Sequence, residues 1–386
     1  MVDIVDRYER FRRNVLNMQA SENFICSHVR MALGSDLAAR YSHIMPDGHN
    51  AYGGTEKIEE IYKEAETSIR NLFHAKFTEI RPTGGHIAAE ISILSTVSKG
   101  GVIMAIPEEF GGYTGYMQPY IPDMFSMKYE PIPYNGDTQE IIYDEMDKKA
   151  KELKPQAIVL GQSFCVRHYD LKRIREIADS VQSKILYDGS HPMGLIAGKK
   201  FQADALQYSD ILYGSTHKTF FGPQGGIILT NDENIYSKIQ ENTVWKTFDN
   251  YHPNHVAALG IAAQDLIQFG ESYASWVVSN SVNLARSLED SGIIVKYGPW
   301  YTESHQVILS KENSNKFGDF REISRKLENN NIIVDTEGRI GTSEITRLGL
   351  TDMMKLGQVI SDAIKGKDVR KDVTEILRNT GVKYCR

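Results

Sequence analysis

Cysteine is scarce in this 386-residue chain: Cys26, Cys165 and Cys385 lie far apart and form no Cys-x-x-Cys pair. An odd, dispersed set argues against a disulfide framework and against a zinc site, so no metal is expected. Long apolar runs are missing as well. None approaches the ~18 residues that a membrane span needs, which excludes a membrane protein. The opening MVDIVDRYERFRRN mixes both charge signs and lacks the central apolar segment of an export signal, so a cytoplasmic location is expected. Basic clusters are absent too, because 44 Lys and Arg are scattered among 50 Asp and Glu, for a formal charge of −6. Nucleic-acid binders rely on clustered Lys and Arg to meet phosphates, so nucleic acid is not the expected partner. Runs such as KKAKELK (148–154) read as solvated helix faces.

What is present begins with length, since single cores split beyond ~250–300 residues and two domains are expected here. The middle of the chain alternates short β-rich runs with longer helical patterns. The runs are GVIMAI (101–106), QAIVLG (156–161), KILYDG (184–189), DILYGS (210–215) and GIILTN (226–231). Between the second and third, DLKRIREIADSVQS sets Leu171, Ile174, Ile177 and Ala178 on one helix face. Strand, helix, strand predicts an α/β fold with a mostly parallel central sheet and helices on both faces. After about residue 265 comes a long helical stretch (roughly 271–291), then HQVILS, another helix, NIIVD and a charged terminal helix, which predicts a smaller C-terminal α+β domain. The expected division is an N-terminal arm over 1–30 that docks on the small domain, a large domain over 31–265, and the small domain over 266–386.

In open α/β sheets ligands bind outside the carboxyl ends of the strands. Three strand ends deliver polar groups: Ser163 after AIVLG, Asp188 and His191 after ILY, and His217 and Lys218 after ILYGS. A lysine becomes a nucleophile when burial or a second cation destabilises its ammonium, and it then condenses with carbonyl compounds, pyridoxal phosphate among them. A solvated lysine in a glycine-rich turn is the alternative. A pyridoxal site also needs a carboxylate that keeps the pyridine nitrogen protonated; Asp188 suits this, and such a residue also serves as a turn or cap. RPTGGHIAAEISIL puts Thr83, Gly84 and Gly85 before an apolar helical pattern, where free N–H groups bind anions, or where Thr83 simply caps the helix. EEFGGYTGYM (108–117) offers Tyr113, either to stack on a flat aromatic group or to pack.

Together, ASENF (20–24), RYSHIMPDGHNAYGGTE, RPTGG, YDGSHPMGLIAGKKF, GSTHKTFFGPQGG, YTESHQV and RIGTSEITRLG (339–349) resemble the serine hydroxymethyltransferase family of pyridoxal-phosphate enzymes, in order and over nearly the whole chain. HKTFFGPQGG is the most specific stretch, and its Gln224, where many members have Arg, is similar to archaeal members. The resemblance implies the type I fold of pyridoxal-phosphate transferases. It also implies an enzyme of one-carbon metabolism that interconverts serine, or a related β-hydroxy or α-methyl amino acid, with glycine by retro-aldol cleavage. Lys218 would bond the cofactor, Asp188 would pair with the pyridine nitrogen, Tyr113 would stack in place of the family's usual His, and Thr83, Gly84 and Gly85 would bind phosphate. Ser163 and His191 match positions near the ring oxygen, and Ser215 and His217 belong to the cofactor-binding stretch just before the lysine. Ser21 and Arg347 match contacts to the substrate carboxylate, with many members placing their Arg one residue later. Tyr41 and Tyr52 match active-site tyrosines, and His43, His191 and Tyr52 join Lys218 as catalytic candidates. The family counterpart of Tyr52 crosses from a neighbouring subunit, so a homodimer with shared active sites is expected, with pairing into tetramers left open.

Three departures fall where a reduced pterin, of folate or methanopterin type, would bind as one-carbon acceptor. The family's catalytic Glu is here His43, a residue type that shuttles protons near its ordinary pKa of ~6.5 but cannot stand in for a neutral carboxyl. Between Val334 and Arg339 only DTEG remains, where members carry a longer loop over the pterin. Glu108 and Thr114 occupy positions that are apolar in many pterin-binding members, and a carboxylate lining an apolar slot costs free energy unless paired. Use of a pterin is therefore left open. A pterin-independent, threonine-type aldolase and a non-catalytic scaffold are the alternatives, and the retained Lys218, Asp188, Thr83 and Arg347 speak against the second.

Overall fold

A computed structural model describes residues 1–45 and 48–386, in two compact units: Ile25–Glu271, and Met1–Phe24 together with Ser272–Arg386. The first unit is built on a seven-stranded sheet. Its strands are β1 (Phe77–Glu79), β2 (Val102–Ala105), β3 (Lys128–Pro131), β4 (Ala157–Leu160), β5 (Lys184–Asp188), β6 (Ile211–Ser215) and β7 (Gly226–Thr230). They lie in the order β1-β7-β6-β5-β4-β2-β3. From β6 to β3 all neighbours are parallel, whereas β7 runs antiparallel to both β6 and β1. Parallel strands covered on both faces read as unbroken apolar runs, and AIVL of β4 is buried at every position.

Helix α1 (Gly85–Leu94) covers one face of this sheet, with Ala88 and Ile91 in one cluster with Val159, Leu186, Tyr213 and Ile228. Helix α2 (Leu171–Ser180) starts where the Asp170 side chain accepts from Arg173 N, and it buries Leu171, Ile174, Ile177 and Ala178, the face that the sequence pattern marks. The mostly parallel α/β sheet is thus as predicted. Because β4, β5 and β6 are adjacent and parallel, residues 161–163, 188–191 and 215–218 leave the sheet at one edge.

In the second unit, Leu16–Asn17 pairs in parallel with Ile332–Ile333, and Gln306–Ile308 pairs antiparallel with Arg339–Gly341. Leu16 and Met18 sit in one core with Leu288, Ile340, Leu356 and Ile360. Asp319 and Glu322 form a reciprocal capping box that opens the helix Phe320–Glu328. The long helix runs from Pro253 to Asp290, starting well before the stretch where the pattern reads as helical.

Candidate active site

Lys218 stands in a loop that closes on itself. Thr216 N donates to Gly225 O at 3.1 Å, Gly222 N to Thr216 O at 2.7 Å, and the Thr216 hydroxyl to Pro223 O at 2.6 Å. Phe220 and Phe221, which follow the lysine, are fully buried, so apolar anchors fix the loop while Lys218 remains part-exposed. The neighbouring strand end is tied to the same loop: the Thr219 hydroxyl donates to His191 O at 2.5 Å and accepts from Gly194 N at 2.9 Å. Burial, reinforced by the adjacent Lys218 ammonium, lowers His217 to about 4, so it is neutral at physiological pH. Its Nδ1 is buried and has no hydrogen-bond partner among the described residues.

Asp188 closes β5 one strand away from β6. Its Oδ1 accepts from Ser190 N at 2.8 Å and its Oδ2 from the Tyr116 hydroxyl at 2.5 Å. The Tyr116 hydroxyl also lies 2.6 Å from that of Tyr213. Burial, then the Asp188 charge, pushes both phenols well above their ordinary value, which keeps their protons on.

An anion cradle lies beside them. The N-cap of α1 is Gly84, with no side-chain cap. Capping by Thr83 is therefore not what this helix start uses, and Thr83 itself is exposed. A Cβ on Gly84 would meet nothing within 4 Å, whereas one on Gly85 would sit 2.8 Å from both N and Cβ of Ser215. The glycine pair thus leaves open space over uncapped N–H groups and packs the helix start directly on the end of β6. The loop that carries Tyr113 is laced to the end of β4: Ser163 N donates to Gly111 O at 2.7 Å and Tyr113 N to Gly161 O at 3.3 Å. The Tyr113 hydroxyl lies 3.0 Å from His86 Nδ1.

These groups suit pyridoxal phosphate, by the chemistry of the donor set. There is an amine at one strand end, a carboxylate at the next, an uncapped helix start with room for a phosphate, and a neutral His217 whose buried Nδ1 awaits a polar partner. The first unit therefore brings Lys218, Asp188, His191, Ser163, Ser215 and the Thr83–Gly85 turn to one sheet edge.

In the second unit, Ser21 follows Ala20, whose backbone is so close to Gly341 that a Cβ there would lie 2.5 Å from Ala20 Cα. Arg347 is fully buried in the short helix just after that strand, and its Nη2 donates to Cys385 Sγ at 3.0 Å. Glu344 lies one turn earlier. Asn17 Nδ2 donates to Glu344 Oε2 at 2.7 Å and to Glu22 Oε2 at 3.0 Å. Burial, and to a lesser degree the Glu22 charge, raises Glu344 to about 7. Sequence reading passed over Glu344; its place three residues before Arg347 on a helix was the available signal.

Three other expectations have definite places. Tyr41 and Tyr52 are half-exposed, their rings 5.4 Å apart, and the His43 ring lies 5.2 Å from that of exposed Trp245, a residue that sequence reading did not single out. Glu108 does not line an apolar slot: it is exposed and bonded to the Thr114 hydroxyl, which removes the penalty foreseen for it. DTEG is a closed turn, with Asp335 Oδ1 accepting from Glu337 N at 3.0 Å and Arg339 N at 3.1 Å, and Asp335 Oδ2 from Arg339 Nε at 2.7 Å.

Comparison with known proteins agrees with this picture. The family model described as serine hydroxymethyltransferase matches residues 1–359. Serine hydroxymethyltransferase of Methanothermobacter marburgensis is 35% identical, over 99% of this chain and 94% of its own length. That of Methanothermobacter thermautotrophicus is 36% identical, over 96% and 91%, and that of Methanocaldococcus jannaschii 32%, over 97% and 92%. Among solved structures, L-threonine transaldolase from Pseudomonas fluorescens in its internal aldimine state superposes with a TM-score of 0.90, covering 100% of this chain and 92% of that one. At 24% identity it establishes the shared fold.

Proposed function

From a chain that belongs to the serine hydroxymethyltransferase family, we propose a pyridoxal-phosphate enzyme that interconverts serine, or a related β-hydroxy or α-methyl amino acid, with glycine by retro-aldol cleavage. When bound, pyridoxal phosphate supplies an electron sink for the pair released as a bond to the substrate Cα breaks. Lys218 holds the cofactor covalently through its amine. Asp188 keeps the proton on the pyridine nitrogen. The N–H groups at Thr83, Gly84 and Gly85 bind the phosphate, Tyr113 stacks on the ring, and Ser163, Ser215, His191 and His217 supply polar contacts around it.

The Arg347 guanidinium, a planar fork matched to carboxylates, orients the substrate with Ser21. His43 takes the proton of the substrate's side-chain hydroxyl, with Tyr41 contributing to the site and Tyr52 placed by a second copy of the chain. The half exposure of Tyr52 in a single chain supports such a homodimer. No helix among the described residues is long and apolar enough to cross a membrane; the location we assign is cytoplasmic.

The observation that carries the reading is the delivery of Lys218 and Asp188 by adjacent parallel strands to one edge, beside an uncapped helix start. A second reading, a pterin-independent aldolase, is favoured by the closed Asp335–Arg339 turn. Visible absorption of the cofactor-loaded protein during glycine addition, with and without a reduced pterin, tests both. A long-wavelength band that grows only with pterin supports hydroxymethyl transfer. A glycine response that pterin leaves unchanged supports the aldolase, and no glycine response defeats both.

A further inference from the structure

We propose that Tyr116 and Tyr213 form a buried hydroxyl relay that fixes the Asp188 carboxylate in orientation, making both tyrosines positioning residues for the cofactor. The inference rests on the reading that Asp188 faces the pyridine nitrogen.

Both tyrosines are 0% exposed, and a buried phenol needs a partner. Each hydroxyl carries one proton. Since Tyr116 spends its proton on Asp188 Oδ2 at 2.5 Å, the 2.6 Å contact between the phenols must be donated by Tyr213. The order is therefore Tyr213 to Tyr116 to Asp188, and its end point is an acceptor. Ser190 N donates to the other oxygen at 2.8 Å, so each carboxylate oxygen holds a donor and retains a lone pair for a third. With both oxygens held, the carboxylate is fixed in one orientation.

Backbone geometry is built around this contact. A Cβ on Gly161, at the end of β4, would lie 2.8 Å from Asp188 Cβ and 2.9 Å from Tyr116 Cε2; a bare backbone lets the two side chains meet. The Tyr116 ring also packs edge-on against Tyr113, with centroids 5.2 Å apart and planes at 75°. One residue thus touches both the carboxylate and the proposed stacking ring.

The test uses the cofactor-loaded wild-type protein and Tyr116→Phe, Tyr213→Phe and Asp188→Asn variants, with two readouts: the cofactor dissociation constant and the nitrogen-15 chemical shift of pyridine-labelled cofactor. Loss of a hydrogen bond to a charged group predicts cofactor binding weakened about tenfold or more in Tyr116→Phe, and loss of a neutral one about two- to fivefold in Tyr213→Phe. The nitrogen shift moves toward its unprotonated value in both, further in Tyr116→Phe. Should Tyr116→Phe fail to fold, Tyr213→Phe carries the test, because it leaves the Asp188 contact in place. If Asp188→Asn moves the nitrogen shift while neither tyrosine variant does, the relay is overturned and the Asp188 reading stands. If Asp188→Asn leaves the shift unmoved, the underlying reading fails and the relay with it.

Discussion

Glu344 gives the most quantitative prediction, because its environment works against its charge. It has part of its surface exposed, yet burial raises its carboxyl from 4.5 to about 7, with Asn17, Arg12 and Arg347 lowering it and Glu22 raising it further. A group bound to its proton more tightly in the folded state stabilises that state at low pH. The contribution is complete below the unfolded value of 4.5 and lost as pH rises through about 7. At about 1.4 kcal/mol for each tenfold change in proton affinity, the full loss is ~3 kcal/mol. Solvent screening of the part-exposed side chain reduces this to about 1–2 kcal/mol. Glu344→Gln keeps an acceptor for Asn17 Nδ2 and never ionises. We expect it to match wild type in urea unfolding at pH 5 and to be more stable by about 1–2 kcal/mol at pH 8. Comparing the two proteins cancels every other titrating group. A variant whose stability difference from wild type is the same at both pH values would refute the reasoning.

Two further predictions concern the sheet edge. Gly85→Ala puts a Cβ 2.8 Å from backbone and side-chain atoms of Ser215; overpacking of this kind costs about 1–3 kcal/mol in unfolding, and inorganic phosphate should compete less well for the site. Unchanged stability and phosphate competition would remove the cradle from the account. His217, lowered to about 4, should show no imidazole titration by NMR between pH 5.5 and 8, and a midpoint near 6.5 would mean that its site is wetter than described.

Five of the seven sheet strands announce themselves in sequence as apolar runs, because strands buried on both faces need apolar residues at every position. The two that do not, Phe77–Glu79 and Lys128–Pro131, are the outermost strands of the sheet, and the latter has no buried residue. The antiparallel direction of β7 has no sequence mark either, since direction is set by the closed Thr216–Gly225 loop, a tertiary fact. At the site, Lys218, Asp188 and the glycines are legible because their chemistry restricts residue type. Tyr116 and Tyr213 are not. One lies in the loop read for Tyr113 and the other inside an apolar strand, and only three-dimensional packing shows that their hydroxyls meet over Asp188. Glu108 illustrates the converse, a charge whose expected penalty disappears once its hydroxyl partner and its exposure are seen.

The central claim is that Lys218 is the amine that holds pyridoxal phosphate. Borohydride reduction of the cofactor-loaded protein, followed by peptide mass spectrometry, tests it most directly. The account predicts a stable pyridoxyl adduct on the peptide that carries Lys218, absent after Lys218→Ala. An unmodified Lys218, or an adduct on another lysine, would contradict it.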